Sequence, residues 1–246
     1  MDRMLYLAMA GAKQTLRAQG LAANNLANTA TTGFRADLEA FMSVGVRGPG
    51  HASRTYGVAS GQGVDLTPGA LERTDNPLDV ALSGPGFFAV QTEDGGEAYT
   101  RAGAFQVDPT GILRTSDGRP VLGQGGPVAI PPYEEILIGN DGTISVRPLG
   151  AAGAQLAQID RLRLVNPDPA TLLKGPDGLI RTADGGAAPV AAEVRVVSGM
   201  IEGSNVNAVQ AMLRQLDLAR QFEAQMKLMT AARDNDDAAD RLLRNG

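Results

Sequence analysis

The sequence predicts an α+β chain: helices at both ends, pairing as a coiled-coil-like stalk, around a central all-β domain. Three observations carry this reading. Apolar residues recur every three or four positions near each terminus, the spacing of one helix face. Five Asp-Gly dipeptides punctuate the middle of the chain, where strand-like runs alternate with turn residues. Between the first helix and that middle lies a stretch rich in Gly and Ser with isolated apolar residues.

Residues 1–34 carry the first helix and an Asn-rich end. Leu5, Met9, Ala12, Leu16, Gln19, Ala23 and Leu26 are spaced 4, 3, 4, 3, 4, 3, a heptad seam interrupted once by a polar residue. No proline precedes residue 49. Asn24, Asn25 and Asn28 lower helix propensity toward the end, and Gly33 supplies a left-handed stop. Residues 35–76 read as an extended connector with short strand pieces, too long to be left unsupported and so held by something outside itself.

Residues 77–203 read as all-β. Candidate strands are LDVALS, GFFAVQT, AYTRAGAFQV, ILRTS, RLRLV, LIRTA and AAEVRVV. The dipeptides at Asp94, Asp117, Asp141, Asp177 and Asp184 take the positive φ angles of tight turns, which predicts a succession of hairpins. Residues 204–246 return to helix. Ser204 is the expected N-cap, and Val206, Val209, Leu213 and Leu216 form a stripe continued by Ala219, Phe222, Met226 and Met229. An extra spacing of three at the join marks a local change of winding. A helix of about 40 residues spans about 60 Å, more than the β-domain's own surface covers. Two such helices expose apolar surface as a bare pair, which points to self-assembly.

Composition excludes several classes. A net charge of −5 without a long basic run disfavours a nucleic-acid partner. No run approaches 18 apolar residues, so no membrane-spanning helix is expected. The opening MDRMLYLAMAGA mimics a secretory signal, but Asp2 offsets Arg3 and the helical period runs through the candidate cleavage point, so a cleaved signal peptide is not expected.

Enzyme chemistry finds little support. There is no cysteine, and the one histidine, His51, sits in GPGHASR and reads as an exposed loop residue. GPGFFA at 84–89 fits the glycine spacing of a dinucleotide loop, yet a strand-like run follows where a helix is required, so it reads as a turn. Asp234, Asp236, Asp237 and Asp240 read as a solvated helix surface, with arginines nearby. None of the Asp-Gly turns begins a calcium-loop pattern. No catalytic residue, cofactor or metal site is expected.

Three separated motifs, covering nearly the whole chain in order, are distinctive. ANNLANTATTGF ends at Phe34; GPGFFAVQTEDGGEAYTRAGAFQVDPTGILRTSDGRPVLG opens the β-domain; GMIEGSNVNAVQAM precedes the last helix. Together they resemble the flagellar basal-body rod and hook family. Within it, the opening MDRMLYLAMAGAKQ and the length are most similar to proximal-rod members, with distal-rod members second; hook proteins carry a longer middle. Arg35 stands where many relatives have Lys, keeping the charge.

The resemblance implies a structural subunit of the proximal rod that assembles helically and transmits torque from motor to hook. It implies export by the flagellar type III apparatus without a cleaved signal, and a place in the periplasmic rod. The implied partners are further copies of the chain, other proximal-rod subunits and the distal rod. Leu5, Met9, Ala12, Leu16, Ala23, Asn24, Asn25, Leu26, Asn28, Thr32, Gly33 and Phe34 are then the N-terminal assembly residues. Ser204, Asn205, Val206, Asn207, Val209, Leu213, Leu216, Phe222, Met226 and Met229 are their C-terminal counterparts. Asn24, Asn25, Asn28, Thr29 and Thr32 offer small donors and acceptors at a helix end, for backbone groups or for bridging subunits. Gly33 reverses the chain and Phe34 anchors it; an ordinary helix C-cap is the plainer alternative. A different class, a secreted polymer-binding β-domain, needs a groove of exposed aromatics, and four Tyr and six Phe supply few.

Overall fold

The computed structural model describes residues 2–45, 55–150 and 156–244, so His51 lies outside the described residues. The chain opens with α1 (Asp2–Ala27), then β1 (Asp37–Gly45) and β2 (Thr55–Val64), which pair. There follow β3 (Leu71–Arg73), β4 (Val80–Ser83), β5 (Phe87–Gln91), β6 (Glu97–Thr100), β7 (Phe105–Val107) and β8 (Leu113–Thr115). Next come β9 (Tyr133–Ile138), β10 (Thr143–Pro148), β11 (Ala157–Arg161), β12 (Leu164–Val165), β13 (Leu172–Lys174), β14 (Ile180–Thr182), β15 (Arg195–Ser198) and β16 (Met200–Glu202). The chain closes with α2 (Ala208–Arg244).

These elements form two compact units. One comprises Met1–Ala27, Asp37–Gly63 and Asn207–Gly246; the other comprises Asn28–Ala36 and Val64–Val206. The stretch expected to be an open connector therefore contributes strands: β1 and β2 lie in the helical unit, β3 in the β unit.

In the β unit, a five-stranded sheet runs in the order β12-β5-β6-β14-β13, and a three-stranded sheet in the order β11-β10-β9. The strands of both sheets pair antiparallel. The two ends of the unit meet, because β4 pairs with β15 and β3 with β16. Strand β5 is buried on both faces: Phe88 joins a large core with Leu113, Ile144 and Leu164, while Phe87 and Ala89 join a second cluster with Tyr99 and Ile180. Phe88 meets Phe105 edge-on, ring centroids 5.2 Å apart. The Tyr99 hydroxyl accepts a 2.6 Å hydrogen bond from the Ala188 amide, and burial raises its pKa.

The hairpins follow one recipe. After β5, Gly95 N–H bonds back to Thr92 and Thr92 N–H to Gly96, both at 2.9 Å, leaving a three-residue loop with Gly95 at φ 80°. The same closure recurs at Gly118, Gly142 and Gly178. These are type I turns followed by a left-handed glycine, so only the glycine takes positive φ; Asp keeps the ordinary backbone. The fifth dipeptide, Asp184-Gly185, makes a turn after β14 without joining paired strands. A further hairpin of the same kind joins β7 to β8 through Pro109-Thr110-Gly111, where the Asp108 carboxylate accepts from the Thr110 and Ile112 amides. Gly84-Pro85-Gly86 is a turn leading into β5, as its flanks implied.

Candidate assembly interface

The helical unit pairs α1 with α2 through small residues. Among the described α1 side chains Ala8, Ala12, Thr15, Ala18 and Ala22 are buried, and Leu218 seats against Ala18 and Ala22. Gly11 leaves room for Gln225: a Cβ there would sit 3.0 Å from the amide carbon of that side chain. On α2, every described position that is not exposed falls in the series Ala208, Ala211, Gln215, Leu218, Phe222, Gln225, Met229, Ala232 and Asp236, spaced by alternating threes and fours. This corrects the expected seams. On α1 the heptad positions Leu5, Ala12, Gln19 and Leu26 are retained, but Ala8, Thr15 and Ala22 replace Met9, Leu16 and Ala23. On α2 the stripe Val209, Leu213, Leu216 and Met226 lies outside the contact. The small α1 side chains leave room for Leu218, and Met9, Leu16, Leu213 and Leu216 are left exposed.

The outer faces carry large apolar residues among charged ones. Tyr6, Leu7, Met9 and Leu16 on α1, and Val209, Met212, Leu213, Leu216, Met226 and Leu228 on α2, are all between 44% and 66% exposed. Polar exposure is ordinary on a single surface helix; large apolar residues repeated along two helices mark an interaction surface.

At the end of α1, Asn25 forms a reciprocal pair with Asp37 at the start of β1. Its side-chain amide donates to the Asp37 carbonyl at 3.0 Å, and its oxygen accepts from the Asp37 amide at 2.8 Å. At the other terminus Asn207, not Ser204, caps α2: its side-chain oxygen accepts from the Val209 and Gln210 amides at 3.0 and 3.1 Å. Ser204 instead accepts from the Val206 amide, closing a local turn one step upstream.

Within the β unit the three sequence motifs converge on Glu202, which is buried with Arg35 and Arg101. One Glu202 oxygen accepts from the Arg35 guanidinium and from the Gly69 amide; the other accepts from Arg101 at 2.9 Å. Arg101 also donates to the Gly84 carbonyl at 2.7 Å and stacks its guanidinium 5.5 Å from the Phe87 ring centroid. Burial pulls the Arg101 pKa below its ordinary value; Glu202 opposes that shift and Arg35 adds to it. Beside this cluster Gly33 runs at φ +68°, its amide bonded to the Glu202 carbonyl, and a Cβ would lie 2.2 Å from the Ala102 nitrogen. Only glycine fits there. Phe34 is half-buried beneath Lys174, whose ammonium sits 3.9 Å from the ring centroid and donates to the Arg35 carbonyl at 2.7 Å. Asn205 accepts from the Ala36 amide at 2.8 Å and donates to the Asp65 and Thr67 carbonyls.

The structure thus gathers Gly33, Phe34 and Asn205 in one place, and Asn28 makes a local turn with Thr31. Asn24 and Asn207 are exposed, while Thr32, Ser204, Val206, Phe222 and Met229 are half-buried. Reading the sequence missed Arg35, Arg101, Lys174 and Glu202. The available signal was an arginine immediately after the first motif, an arginine inside the second and a glutamate inside the third. Treating Arg35 as interchangeable with Lys hid a guanidinium donating simultaneously to Glu202 and, at 3.4 Å, to the Phe34 carbonyl. Among the described residues no group of His, Cys, Asp and Glu is placed to hold a metal ion, and no helix is long and apolar enough to cross a membrane.

The family model for the flagellar hook protein FlgE/F/G D1 domain matches residues 81–146, and that for the flagellar basal body rod FlgEFG protein C-terminal region matches residues 197–242. The flagellar basal-body rod protein FlgF of Escherichia coli (strain K12) is 46% identical over 249 residues, covering 99% of each chain. FlgF of Salmonella typhimurium is likewise 46% identical with 99% coverage of both. A flagellar basal-body rod protein FlgG, from Buchnera aphidicola, is 33% identical over 83% of this chain. The chain belongs to the flagellar basal-body rod protein family, a family of structural proteins rather than enzymes, and within it groups with the FlgF proteins.

Proposed function

We propose that the chain is a structural subunit of the proximal part of the bacterial flagellar basal-body rod, assembling helically to carry torque from motor to hook. The observation that carries this reading is the division of labour on the terminal helices. Small residues of α1 are buried where Leu218 of α2 seats, while Met9, Leu16, Val209, Leu213, Leu216 and Met226 are left exposed. The alternating spacing of the buried α2 positions supports a coiled-coil-like pair. The outward rows Met9 and Leu16, and Val209, Leu213, Leu216 and Met226, are then the seams that meet other subunits. Contacts between unlike faces propagate an open helical stack rather than a closed ring. The partners in this reading are further copies, other proximal-rod subunits and the distal rod. Delivery is by the flagellar type III export apparatus, without a cleaved signal, to the periplasmic rod.

Deleting the gene in its host and imaging purified basal bodies tests this. Loss of motility with basal bodies truncated within the rod is the expected result, and the truncation level separates a proximal from a distal position. Motile cells with complete basal bodies, in a host lacking a second copy, overturn it.

A further inference from the structure

We infer that Glu202 is the catch of a latch that fixes, within a single subunit, the two points where the chain leaves the β unit. Four facts support it. The carboxylate binds three segments remote in sequence: the 28–36 loop through Arg35, the 65–70 turn through the Gly69 amide, and the end of β6 through Arg101. The Arg35 contact spans 167 residues. None of the apolar clusters of the β unit includes a residue of 28–36 or 203–206, so these exits are tied to the unit chiefly by polar contacts, with the Phe34 ring packed under Lys174. Finally, Asn205 repeats the arrangement one step later, tying Ala36 to Asp65 and Thr67.

The physical consequence is a device separable from the core. The sheets and their apolar clusters are complete without the Glu202 carboxylate, whereas the exits close only when residue 202 arrives in β16. A carboxylate there is needed to hold two guanidinium groups out of water; without it, buried like charges repel and the loop that carries Arg35 is released. The latch is built from this chain's own contacts and stands independently of the rod assignment.

Residue-resolved amide hydrogen exchange on the full-length isolated protein tests it. The reporters are the Gly33 amide, which donates to the Glu202 carbonyl, and the Gly69 amide, which donates to its carboxylate; Ala89, Gln91 and Leu122 report the core. In the unaltered protein Gly33 and Gly69 should be protected. In Glu202→Gln their exchange should accelerate at least tenfold while the core amides keep their protection. Gly33→Ala, which disturbs the same junction through sterics and leaves every ionic group in place, should do the same. Unprotected Gly33 and Gly69 in the unaltered protein overturn the latch. So does an equal loss at reporter and core amides in both variants, because the exits would then be inseparable from the global fold.

Discussion

Truncating Leu213 and Leu216 to alanine separates outward from inward apolar surface on α2. In the isolated subunit these side chains are 59% and 50% exposed, so roughly half of each is left for a partner to cover. Leu→Ala removes about three methylene equivalents, each worth about 0.8 kcal/mol on full burial. The exposed half therefore contributes about 1 kcal/mol per residue and about 2 kcal/mol for the pair. At 1.4 kcal/mol per factor of ten, the concentration needed for assembly should rise about 30-fold. By the same measure the covered half of each contributes to the isolated subunit, so folding should lose at most about 1 kcal/mol per residue, less than Leu218→Ala costs. Leu218→Ala is the control: Leu218 is 6% exposed between Ala18 and Ala22, and its truncation should cost about 2–5 kcal/mol of folding stability. Sedimentation of assembled material against concentration reads the first effect, and urea denaturation of the soluble subunit reads the second. Assembly at the unaltered concentration, or unfolding of the double variant like Leu218→Ala, refutes the assignment of faces.

Further outcomes follow from the same geometry. Asn207→Ala should destabilise α2 by about 1 kcal/mol, and Ser204→Ala by less, because Asn207 satisfies two first-turn amides; thermal melts of the pair distinguish them. Tyr99→Phe should cost about 1–3 kcal/mol in urea denaturation by leaving the Ala188 amide buried without its acceptor. Asp177 accepts both Arg181 terminal nitrogens, at 2.9 and 2.5 Å, and these hydrogen bonds hold its carboxyl well below the usual carboxylate range. With the folded pKa below the unfolded one, the stabilisation is present above about pH 4 and is lost as pH falls below it. Asp177→Asn should therefore melt lower at pH 7 and lose less stability between pH 4 and 2; parallel acid limbs would count against this.

The parts of the fold that rest on local chemistry were legible in the sequence. Four of the Asp-Gly dipeptides close hairpins because glycine takes the left-handed position, and the helical period marked both terminal helices. The phase of the buried positions within one subunit was not legible, because the largest apolar residues dominate the pattern, whereas Ala8, Thr15 and Ala22 are the ones buried. Alanine reads as neutral in sequence and becomes decisive only when another helix approaches. Strands β9 to β11 escaped notice because one face carries Glu135, Ser145, Arg147 and Gln158 and Glu134 interrupts the other, masking the alternation that buries Ile136, Ile138, Ile144 and Val146. The β7–β8 turn was hidden because Asp-Pro-Thr-Gly separates the aspartate from the glycine. The Glu202 cluster was beyond a local reading altogether: its partners are brought together by sheet closure, and no periodicity records that.

The absence of native cysteine makes single-cysteine cross-linking in assembled basal bodies the most direct measurement of the central claim. Cysteines placed singly at Met9, Leu16, Leu213 and Leu216 and labelled with a maleimide-benzophenone, whose photoactivated ketone inserts into a neighbour's C–H bonds, should cross-link to neighbouring rod subunits in assembled basal bodies. Cysteines at Thr15 and Leu218 should give no intersubunit product. Intersubunit products from Thr15 and Leu218, with none from the outward positions, would contradict the account.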